Sequence, residues 1–425
     1  MKFIFSDSLD YVDPDFDFIA DRNAINRRPH QDDNFPHEFL DEAPYDGILI
    51  SRAIVGDRIS GGKYNEAQWM RFLREGARAF LRYDARKYPG SIVMGDCGAF
   101  SYRDAQRPPH TVDGILEFYE DGGFTHGCSV DHLIFDFLDD RAKPTADAKR
   151  RQEITLSNAR EFLTSSRALG KSFTPLGVIQ GWSATSMARA ATNLVKMGYD
   201  YLAVGGCVPL RIDQIEHALE AIRAAIPTKT RLHLLGFGKF EQWRVLEEYK
   251  VTSFDTTSPL LRAFKDAKRN YFIQRTNGDI EYYTAVRIPQ AIDNPALLRR
   301  AKRGRLNQES LLALEERALS AVRQFAKRSC SAEVAVEAVL AYGRYALWDD
   351  KATTAKNEAK LRGLGESYLR TLRDRPWSSC SCRVCKDAGV EVVLFRCSNR
   401  NKRRGIHNLH VFFNSLKPHR KGSVA

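Results

Sequence analysis

The sequence has no apolar run that approaches the ~18 residues needed to span a bilayer. It has no Gly-x-Gly-x-x-Gly turn of the dinucleotide-binding kind, no internal repeat and no low-complexity tract. Its first residues, Met1 to Phe5, are soon followed by acidic residues, unlike a signal or transit peptide. Hydrophobic residues make up 43% of the chain, which excludes wholesale disorder. We expect a globular, cytoplasmic protein without a membrane partner.

Cysteine is scarce, and it is concentrated near the end of the sequence. Three of the eight cysteines lie within residues 380–385. In a cytoplasmic chain such close spacing favours a metal site over a disulfide framework.

Basic residues outnumber acidic ones, which gives a net charge of +12, and the excess is uneven. Acidic residues dominate the first 46 positions, whereas residues 396–425 contain no acid and residues 299–305 contain five basic side chains. This asymmetry predicts a polyanionic partner, with a solvated basic tail as the alternative.

Short apolar runs alternate with amphipathic helical patterns over the first 260 residues. The predicted strands are Phe3–Phe5, Gly47–Ser51, Ile92–Asp96, His132–Phe137, Leu176–Gln180, Tyr201–Val204, Leu232–Gly236 and Thr252–Asp255. This alternation predicts an α/β fold, a (β/α)8 TIM barrel over residues 1–262, with an open doubly wound sheet as the alternative. We predict a basic, mainly helical insertion over 263–376 and a zinc-binding segment with a basic C-terminal tail over 377–425.

Three of the predicted strands end in a carboxylate, at Asp96, Asp136 and Asp255, and two others end at Gln180 and Gly205-Gly206. Polar residues that close barrel strands face the mouth, where barrel enzymes hold their chemistry. For any single aspartate, a cap on the following helix is the structural alternative. Together they favour the cutting of a glycosidic bond, in which one carboxylate attacks the sugar and another moves protons.

Five segments of the sequence carry, in order, a resemblance to a known family. They are Asp96-Cys97-Gly98-Ala99-Phe100, Gln180-Gly181, Gly205-Gly206, Leu235-Gly236-Phe237-Gly238 and Phe254-Asp255-Thr256-Thr257-Ser258-Pro259. With the cysteine cluster, these segments resemble the signatures of the tRNA-guanine transglycosylases. The resemblance covers the barrel and the metal site.

The resemblance implies a role for each site residue. Asp255 would be the nucleophile that joins the sugar as guanine departs, and Asp96 the general acid/base. The residues implied to bind the base are Phe100, Asp136, Gln180, Gly205, Gly206 and Leu235. One structural zinc ion per chain is implied, with the ligands Cys380, Cys382, Cys385 and His407 and with His410 as the alternative histidine.

The sequence departs from the bacterial tRNA enzymes in two places. Arg211 stands where they carry a glutamate that holds a cationic aminomethyl group, which favours the neutral 7-cyano-7-deazaguanine (preQ0) as substrate. The segment between Asp255 and Cys380 is longer than theirs, and we expect no RNA-binding C-terminal domain like that of the archaeal enzymes.

These departures, with residues 3–12 and 120–131, make the chain similar to the DpdA-type members, which insert 7-deazaguanines into DNA. The resemblance implies exchange of guanine in DNA for preQ0, and it leaves the need for partner proteins open. The alternatives are an archaeosine-type enzyme that inserts the same base into tRNA, and a non-catalytic nucleic-acid-binding member. We expect phosphates to be bound by Arg299, Arg300, Lys302, Arg303, Arg305, Arg400, Lys402, Arg403 and Arg404.

Overall fold

The computed structural model describes residues 1–56, 62–292, 294–302, 304 and 306–420. It divides the chain into two compact units, of which the first comprises Met1–Leu9 and Tyr45–Ser258. The second comprises Asp10–Pro44 and the chain from Pro259 onwards. The boundaries that we predict at residues 262 and 376 stay a prediction. Among the described residues, no helix is both long enough and apolar enough to cross a membrane.

The strands form one closed barrel and two small pairs. In chain order they are β1 (Lys2–Ser6), β2 (Gly47–Ser51), β3 (Ile92–Asp96), β4 (His126–Cys128), β5 (Thr174–Ile179), β6 (Tyr201–Val204), β7 (Arg231–Leu234), β8 (Ser253–Asp255), β9 (Tyr271–Gln274), β10 (Ile280–Tyr283), β11 (Val286–Arg287) and β12 (Leu394–Phe395). Strands β1 to β8 pair in parallel, each with the next, and β8 closes on β1. The predicted (β/α)8 barrel is therefore confirmed. Strands β9 and β10 form an antiparallel hairpin, and β11 pairs with β12.

Helices follow the barrel strands and make up most of the second unit. They are α1 (Pro36–Phe39), α2 (Arg52–Val55), α3 (Glu66–Phe80), α4 (Val112–Asp121), α5 (Ala146–Ser165), α6 (Ala184–Met197), α7 (Ile212–Ala225), α8 (Arg244–Glu248), α9 (Ser258–Lys265), α10 (Pro295–Lys302), α11 (Gln308–Ala326), α12 (Ala332–Ala346), α13 (Thr354–Asp374), α14 (Pro376–Ser379), α15 (Arg383–Ala388) and α16 (Ser398–Arg420). Polar side chains at Asn65, Thr111, Thr145 and Ser183 accept backbone N–H groups and so begin four of the barrel helices.

The alternation of side chains along the barrel strands determines which residues face the interior. On β3, Ile92 and Met94 belong to the core cluster that six neighbouring strands share. Asp96 lies two residues further on, so it shares their face at the carboxyl end of the strand. On β8 the same periodicity places Ser253 and Asp255 on one face. The carboxyl ends of these strands therefore present polar side chains to the barrel mouth.

The fourth strand differs from the prediction. The structure has β4 at His126–Cys128, whereas the predicted strand at His132–Phe137 is irregular chain. The Tyr119 ring packs on Gly127, where an added Cβ would lie 2.5 Å from the ring. A short strand built on a glycine has little intrinsic β-propensity, whereas the apolar run at 133–135 has much. Propensity therefore selects the wrong segment.

The second unit has its own apolar core. Helices α11, α12 and α13 lie within the predicted helical insertion over 263–376, and they share a core cluster with the cysteine segment and with α16. Strands β9, β10 and β11 in the predicted helical insertion were not predicted.

The arginines of the predicted basic tail are buried in α16. Arg400, Arg403 and Arg404 are 0%, 2% and 0% exposed. Arg400 forms an ion pair with Asp21, and Arg403 donates to the backbone carbonyl of Asp13 at 2.7 Å. Part of the charge of the acidic 10–44 segment and of the basic tail is therefore paired within this unit. The prediction that these three arginines bind phosphates is wrong, because buried guanidinium groups cannot reach an external polyanion.

The contacts of Arg404 give a test of this packing. Its guanidinium donates to the carbonyls of Val392, Leu394 and Ala263. Arg404→Ala should lower the free energy of unfolding by about 3 kcal/mol or more, since each buried carbonyl left without a donor costs about 1–3 kcal/mol. Denaturant unfolding measures this change. The exposed Arg299→Ala is the control and should stay within about 0.5 kcal/mol of the wild type; equal losses would contradict the structural role.

Candidate active site and metal cluster

A cavity of about 220 Å³ lies at the carboxyl end of the barrel strands. It is lined by Ser6, Leu49, Ser51, Asp96, Ala99, Phe100, Asp131, Leu133, Phe135, Gly205, Gly206, Val208, Pro209, Leu235, Gly236 and Asp255. Six of the predicted site residues are therefore brought together: Asp96, Phe100, Gly205, Gly206, Leu235 and Asp255. A mostly apolar wall that carries a few polar groups is typical of a site for a small heterocycle.

The Asp255 carboxylate is held by three hydrogen-bond donors. The Ser6 hydroxyl donates to Oδ2 at 2.5 Å, and the Gly236 N–H donates to Oδ1 at 2.8 Å. His233 Nε2 lies 3.2 Å from the same Oδ1. Asp255 is only 5% exposed, so these donors take the place of the water that burial removes. The carboxylate borders the cavity in a fixed orientation, as a nucleophile requires.

Asp96 is the carboxyl group whose protonation the site alters most clearly. Its side chain borders the cavity and is partly accessible, yet desolvation, helped by the nearby Asp131 and Asp255 carboxylates, raises its pKa to about 7. Hydrogen bonds from the Ser51 side chain and the Gly98 N–H favour the ionised form but do not outweigh this. A carboxyl group with a pKa near neutrality can both give and take a proton.

Asp131 and Gln180 form a second polar pair at the cavity. Gln180 Nε2 donates to Asp131 Oδ2 at 2.7 Å, and Cys97 Sγ lies 3.2 Å from Oδ1. Burial raises the pKa of Asp131. Gly205 lets the chain pass close to Gln180, since a Cβ there would lie 2.4 Å from the Gln180 amide nitrogen. Gln180 is thus behind the cavity wall, and it orients Asp131.

Asp136 is not brought into the cavity. It is exposed and lines a separate surface depression with Arg103 and Arg151. Its predicted place at a strand end fails for the same reason as the predicted fourth strand, and Asp131 occupies the cavity instead. The sequence signal for Asp131 is the small-residue stretch from Gly127 onwards, which ends in this carboxylate as the other strands do.

Two aromatic rings stand exposed at the cavity rim. Phe100 and Phe135 are 52% and 39% exposed, and their ring centroids lie 6.0 Å apart at an interplanar angle of 85°. The Arg103 guanidinium lies over the Phe100 ring at 4.9 Å. Exposed rings that adjoin a guanidinium are suited to stacking on a base.

Arg211, predicted to disfavour a cationic substrate, lies outside the cavity lining. It begins α7 and pairs with Asp213 through two hydrogen bonds, of 3.1 Å and 2.8 Å. Val208 and Pro209 line the cavity instead. The neutrality of the wall near this segment therefore comes from apolar side chains rather than from a repelling arginine.

The predicted metal ligands converge in the second unit. The ligand atoms of Cys380, Cys382, Cys385 and His407 all lie within 4.8 Å of one another. His407 Nδ1 lies 3.6, 3.4 and 3.3 Å from the three sulfur atoms in that order. His407 Nε2 lies 2.7 Å from the Phe272 carbonyl oxygen. Donation there assigns the proton to Nε2 and leaves the Nδ1 lone pair for a metal, the usual arrangement of a metal-binding histidine.

His410, the alternative ligand, is not part of this cluster. Its Nε2 forms a hydrogen bond with Asn414 Nδ2 at 2.9 Å. A set of three thiolates and one imidazole can hold a metal ion. Because all four tetrahedral positions would be filled by protein, such a site stabilises a fold and leaves no position for substrate.

The predicted phosphate-binding residues differ in their exposure and in their hydrogen bonds. Arg299 and Lys302 are exposed on α10, whereas Arg300 donates to the Tyr345 carbonyl at 2.7 Å. Arg303 and Arg305 lie outside the described residues. Lys402 is half-buried and donates to the Tyr11 carbonyl at 3.3 Å. For Arg299 and Lys302, phosphate binding stays a prediction.

A closed (β/α)8 barrel whose mouth gathers three carboxyl groups around an apolar cavity is an arrangement that suits an enzyme of glycosyl transfer. No family model matches the chain. A DNA-guanine transglycosylase of Salmonella montevideo is 40% identical over an alignment of 428 positions. The alignment covers 98% of this chain and 97% of that protein. The chain belongs to the DNA-guanine transglycosylases, within the family of tRNA-guanine transglycosylases that its motifs resemble.

The raised pKa of Asp96 predicts a pH-dependent stability. Because the pKa of about 7 in the folded state exceeds the ordinary 3.8, the associated stability is full below about pH 4 and is lost as the pH rises through about 7. Asp96→Asn removes this loss. Its melting temperature relative to the wild type should therefore rise from about pH 5 to about pH 8.

The control for this measurement is Asp104→Asn, since the Asp104 side chain is 91% exposed. Its melting temperature relative to the wild type should not change over the same range. A flat difference for Asp96→Asn would show that Asp96 titrates normally.

Proposed function

We propose that this chain exchanges guanine in DNA for 7-cyano-7-deazaguanine, through a covalent bond between Asp255 and the sugar. The main support is the arrangement of two carboxyl groups: three hydrogen-bond donors orient Asp255, and the nearby Asp96 has a pKa of about 7. The related enzyme of Salmonella montevideo is named for guanine and DNA, and this supports the choice of base and nucleic acid. Eight free cysteines fit a reducing cytoplasm.

The reaction consists of two displacements at the same sugar carbon. A carboxylate oxygen of Asp255 attacks C1′ while the C1′–N9 bond to guanine breaks; the electron pair of that bond leaves with guanine, which takes a proton from Asp96. The incoming base then gives its ring N–H proton to the Asp96 carboxylate and attacks C1′. The bond to Asp255 breaks, and both carboxyl groups return to their starting states. Two displacements retain the configuration of the sugar.

The base is recognised by the second polar pair. Asp131, held by Gln180, would accept hydrogen bonds from the amino and imino edge of guanine, the role predicted for Asp136. The backbone of Gly206 and the side chain of Leu235 border the same cavity, and Phe100 offers a ring for stacking. Each polar edge needs a partner, because an unpaired buried group costs about 1–3 kcal/mol.

The apolar wall at Val208 and Pro209 supports a neutral substituent at position 7 of the incoming base. A cationic aminomethyl group against this wall would lose hydration, and neither Val208 nor Pro209 offers a carboxylate in return, which disfavours such a group. The 7-cyano group is uncharged and needs no counter-ion. The preference therefore rests on absent compensation rather than on repulsion by Arg211.

DNA presents its bases inside a stacked duplex, so the exchanged guanine must be flipped out. Exposed rings at Phe100 and Phe135 could stack on neighbouring bases once the duplex opens, and the exposed Arg299 and Lys302 are proposed phosphate contacts. The tRNA alternative keeps the same chemistry and is one arm of the test. Retention of both Asp96 and Asp255 in the cavity disfavours a non-catalytic role.

For the metal cluster we propose one zinc ion per chain. Three sulfurs and one nitrogen in a closed set are the donors that structural zinc sites use. Tyr271 supports the cluster, because its ring stacks on His407 at 4.2 Å and its hydroxyl lies 3.0 Å from Cys385 Sγ. Zinc would supply folding stability to this unit and no chemistry to the barrel cavity.

The covalent step has a direct test. Wild-type protein mixed with guanine-containing duplex DNA and then denatured should yield a protein–DNA adduct on a denaturing gel. Asp255→Asn should reduce adduct formation by about 10⁴-fold or more, since an amide is a poor nucleophile. The parallel arm uses tRNA, and an adduct with tRNA alone would favour the tRNA alternative.

Asp136→Asn is the matched control for the same experiment. Because Asp136 lies outside the cavity, this variant should form adduct at the wild-type rate. Adduct from Asp255→Asn at the wild-type rate would remove Asp255 from the reaction.

The zinc proposal predicts about one zinc ion per chain by elemental analysis. Cys382→Ser and His407→Ala should each lower both zinc content and melting temperature, because removal of one ligand opens the site. His410→Ala and Cys330→Ser should keep the metal, since neither residue belongs to the cluster. Stoichiometric zinc in Cys382→Ser would contradict the assignment of ligands.

A further inference from the structure

A chain of hydrogen bonds runs through the barrel interior to Asp255. The Tyr201 hydroxyl lies 2.6 Å from Ser253 Oγ, which in turn lies 2.6 Å from His233 Nδ1. His233 Nε2 lies 3.2 Å from Asp255 Oδ1. Tyr201, His233 and Ser253 are 2%, 0% and 0% exposed. No substrate could reach these three side chains, yet they end on the proposed nucleophile.

The network permits one direction of donation when Asp255 is ionised and the His233 imidazole is neutral. A carboxylate only accepts hydrogen bonds, so His233 Nε2 must carry the proton that faces Oδ1. In the neutral imidazole Nδ1 then accepts, and the Ser253 hydroxyl is its donor. Ser253 has one proton and has used it, so the Tyr201 hydroxyl donates to Ser253. Each group in the chain thus donates toward Asp255.

We propose that His233 is a positioning residue for the nucleophile, held in its tautomer by Ser253 and Tyr201. This inference rests on the proposed function, since it assumes that Asp255 attacks the sugar. His233 and the Gly236 N–H together occupy Oδ1, whereas Ser6 is the donor to Oδ2. Oδ2 therefore has the lone pair that attacks C1′, and Oδ1 becomes the carbonyl oxygen of the ester.

A purely structural role would not require this arrangement. The interior of a small barrel is usually filled by apolar side chains, as the core cluster around Met94 and Leu176 shows here. Buried polar side chains lower stability unless their hydrogen-bonding groups have partners. In this network the partner of His233 Nε2 is the Asp255 carboxylate. A misoriented carboxylate slows attack, because a displacement of about 1 Å can cost 10²-fold in rate.

The test is the single-turnover rate of adduct formation on guanine-containing duplex DNA. His233→Leu should form adduct about 100-fold more slowly than the wild type. His233→Gln places an amide N–H near the position of Nε2 and should recover most of that loss. Ser253→Ala leaves the imidazole without its donor and should be slower by about 10-fold. The dissociation constant for free 7-cyano-7-deazaguanine should be unchanged in all three variants, because His233 and Ser253 are not part of the cavity lining.

Controls separate this inference from the proposed function. Absence of adduct in the wild type would refute the proposed function itself. A wild type that forms adduct while Ser253→Ala or His233→Leu matches its rate would overturn the positioning role alone. Equal losses in adduct rate and in base affinity would also overturn it, since they indicate general damage. His217→Gln, an exposed histidine on α7, should match the wild type. If His233→Leu does not fold, the rate of Ser253→Ala still decides the matter.

Discussion

The alternation of side chains along eight parallel strands is the constraint on which the site depends. A closed barrel buries its inward side chains, so inward polar groups reach a cavity only at the ends of strands. Asp96 and Asp255 follow inward apolar or small residues by two positions and so arrive at the same mouth. The proposed chemistry needs both carboxyl groups in one cavity, and strand periodicity supplies that without any long-range adjustment.

The electrostatics of the cavity then divide the work between the carboxyl groups. Three donors around Asp255 take the place of water, which suits an ionised nucleophile. Asp96 has fewer compensating donors and two carboxylate neighbours, and its pKa rises to about 7. Two chemically identical side chains therefore acquire different roles from their surroundings, as acid and nucleophile pairs in glycosyl transfer require.

The sequence was informative where a local pattern carries the physics. Strand ends pointed to Asp96 and Asp255, close cysteine spacing pointed to a metal cluster, and the family resemblance pointed to His407 as its fourth member. Asp131 was missed because β4 is built on Gly127, whose packing against Tyr119 is invisible to propensity. His233 was missed as well, since a lone histidine within a strand gives no sign of what it faces.

Charge was the least local signal and the most misleading. The acidic 10–44 segment and the basic tail suggested a surface for a polyanion, yet part of this charge is paired inside one unit. Sequence shows how much charge a segment has but not whether a distant segment neutralises it. Burial of Arg403 and Arg404 could be known only once both segments were placed.

We propose that the protein exchanges a base in DNA through Asp255, and incorporation of labelled 7-cyano-7-deazaguanine tests this most directly. The protein is incubated with the labelled base and either duplex DNA or tRNA, and the label retained in each purified nucleic acid is counted. The account predicts label in DNA with the wild type and none with Asp255→Asn. Label in tRNA but not in DNA, or equal label with Asp255→Asn, would contradict it.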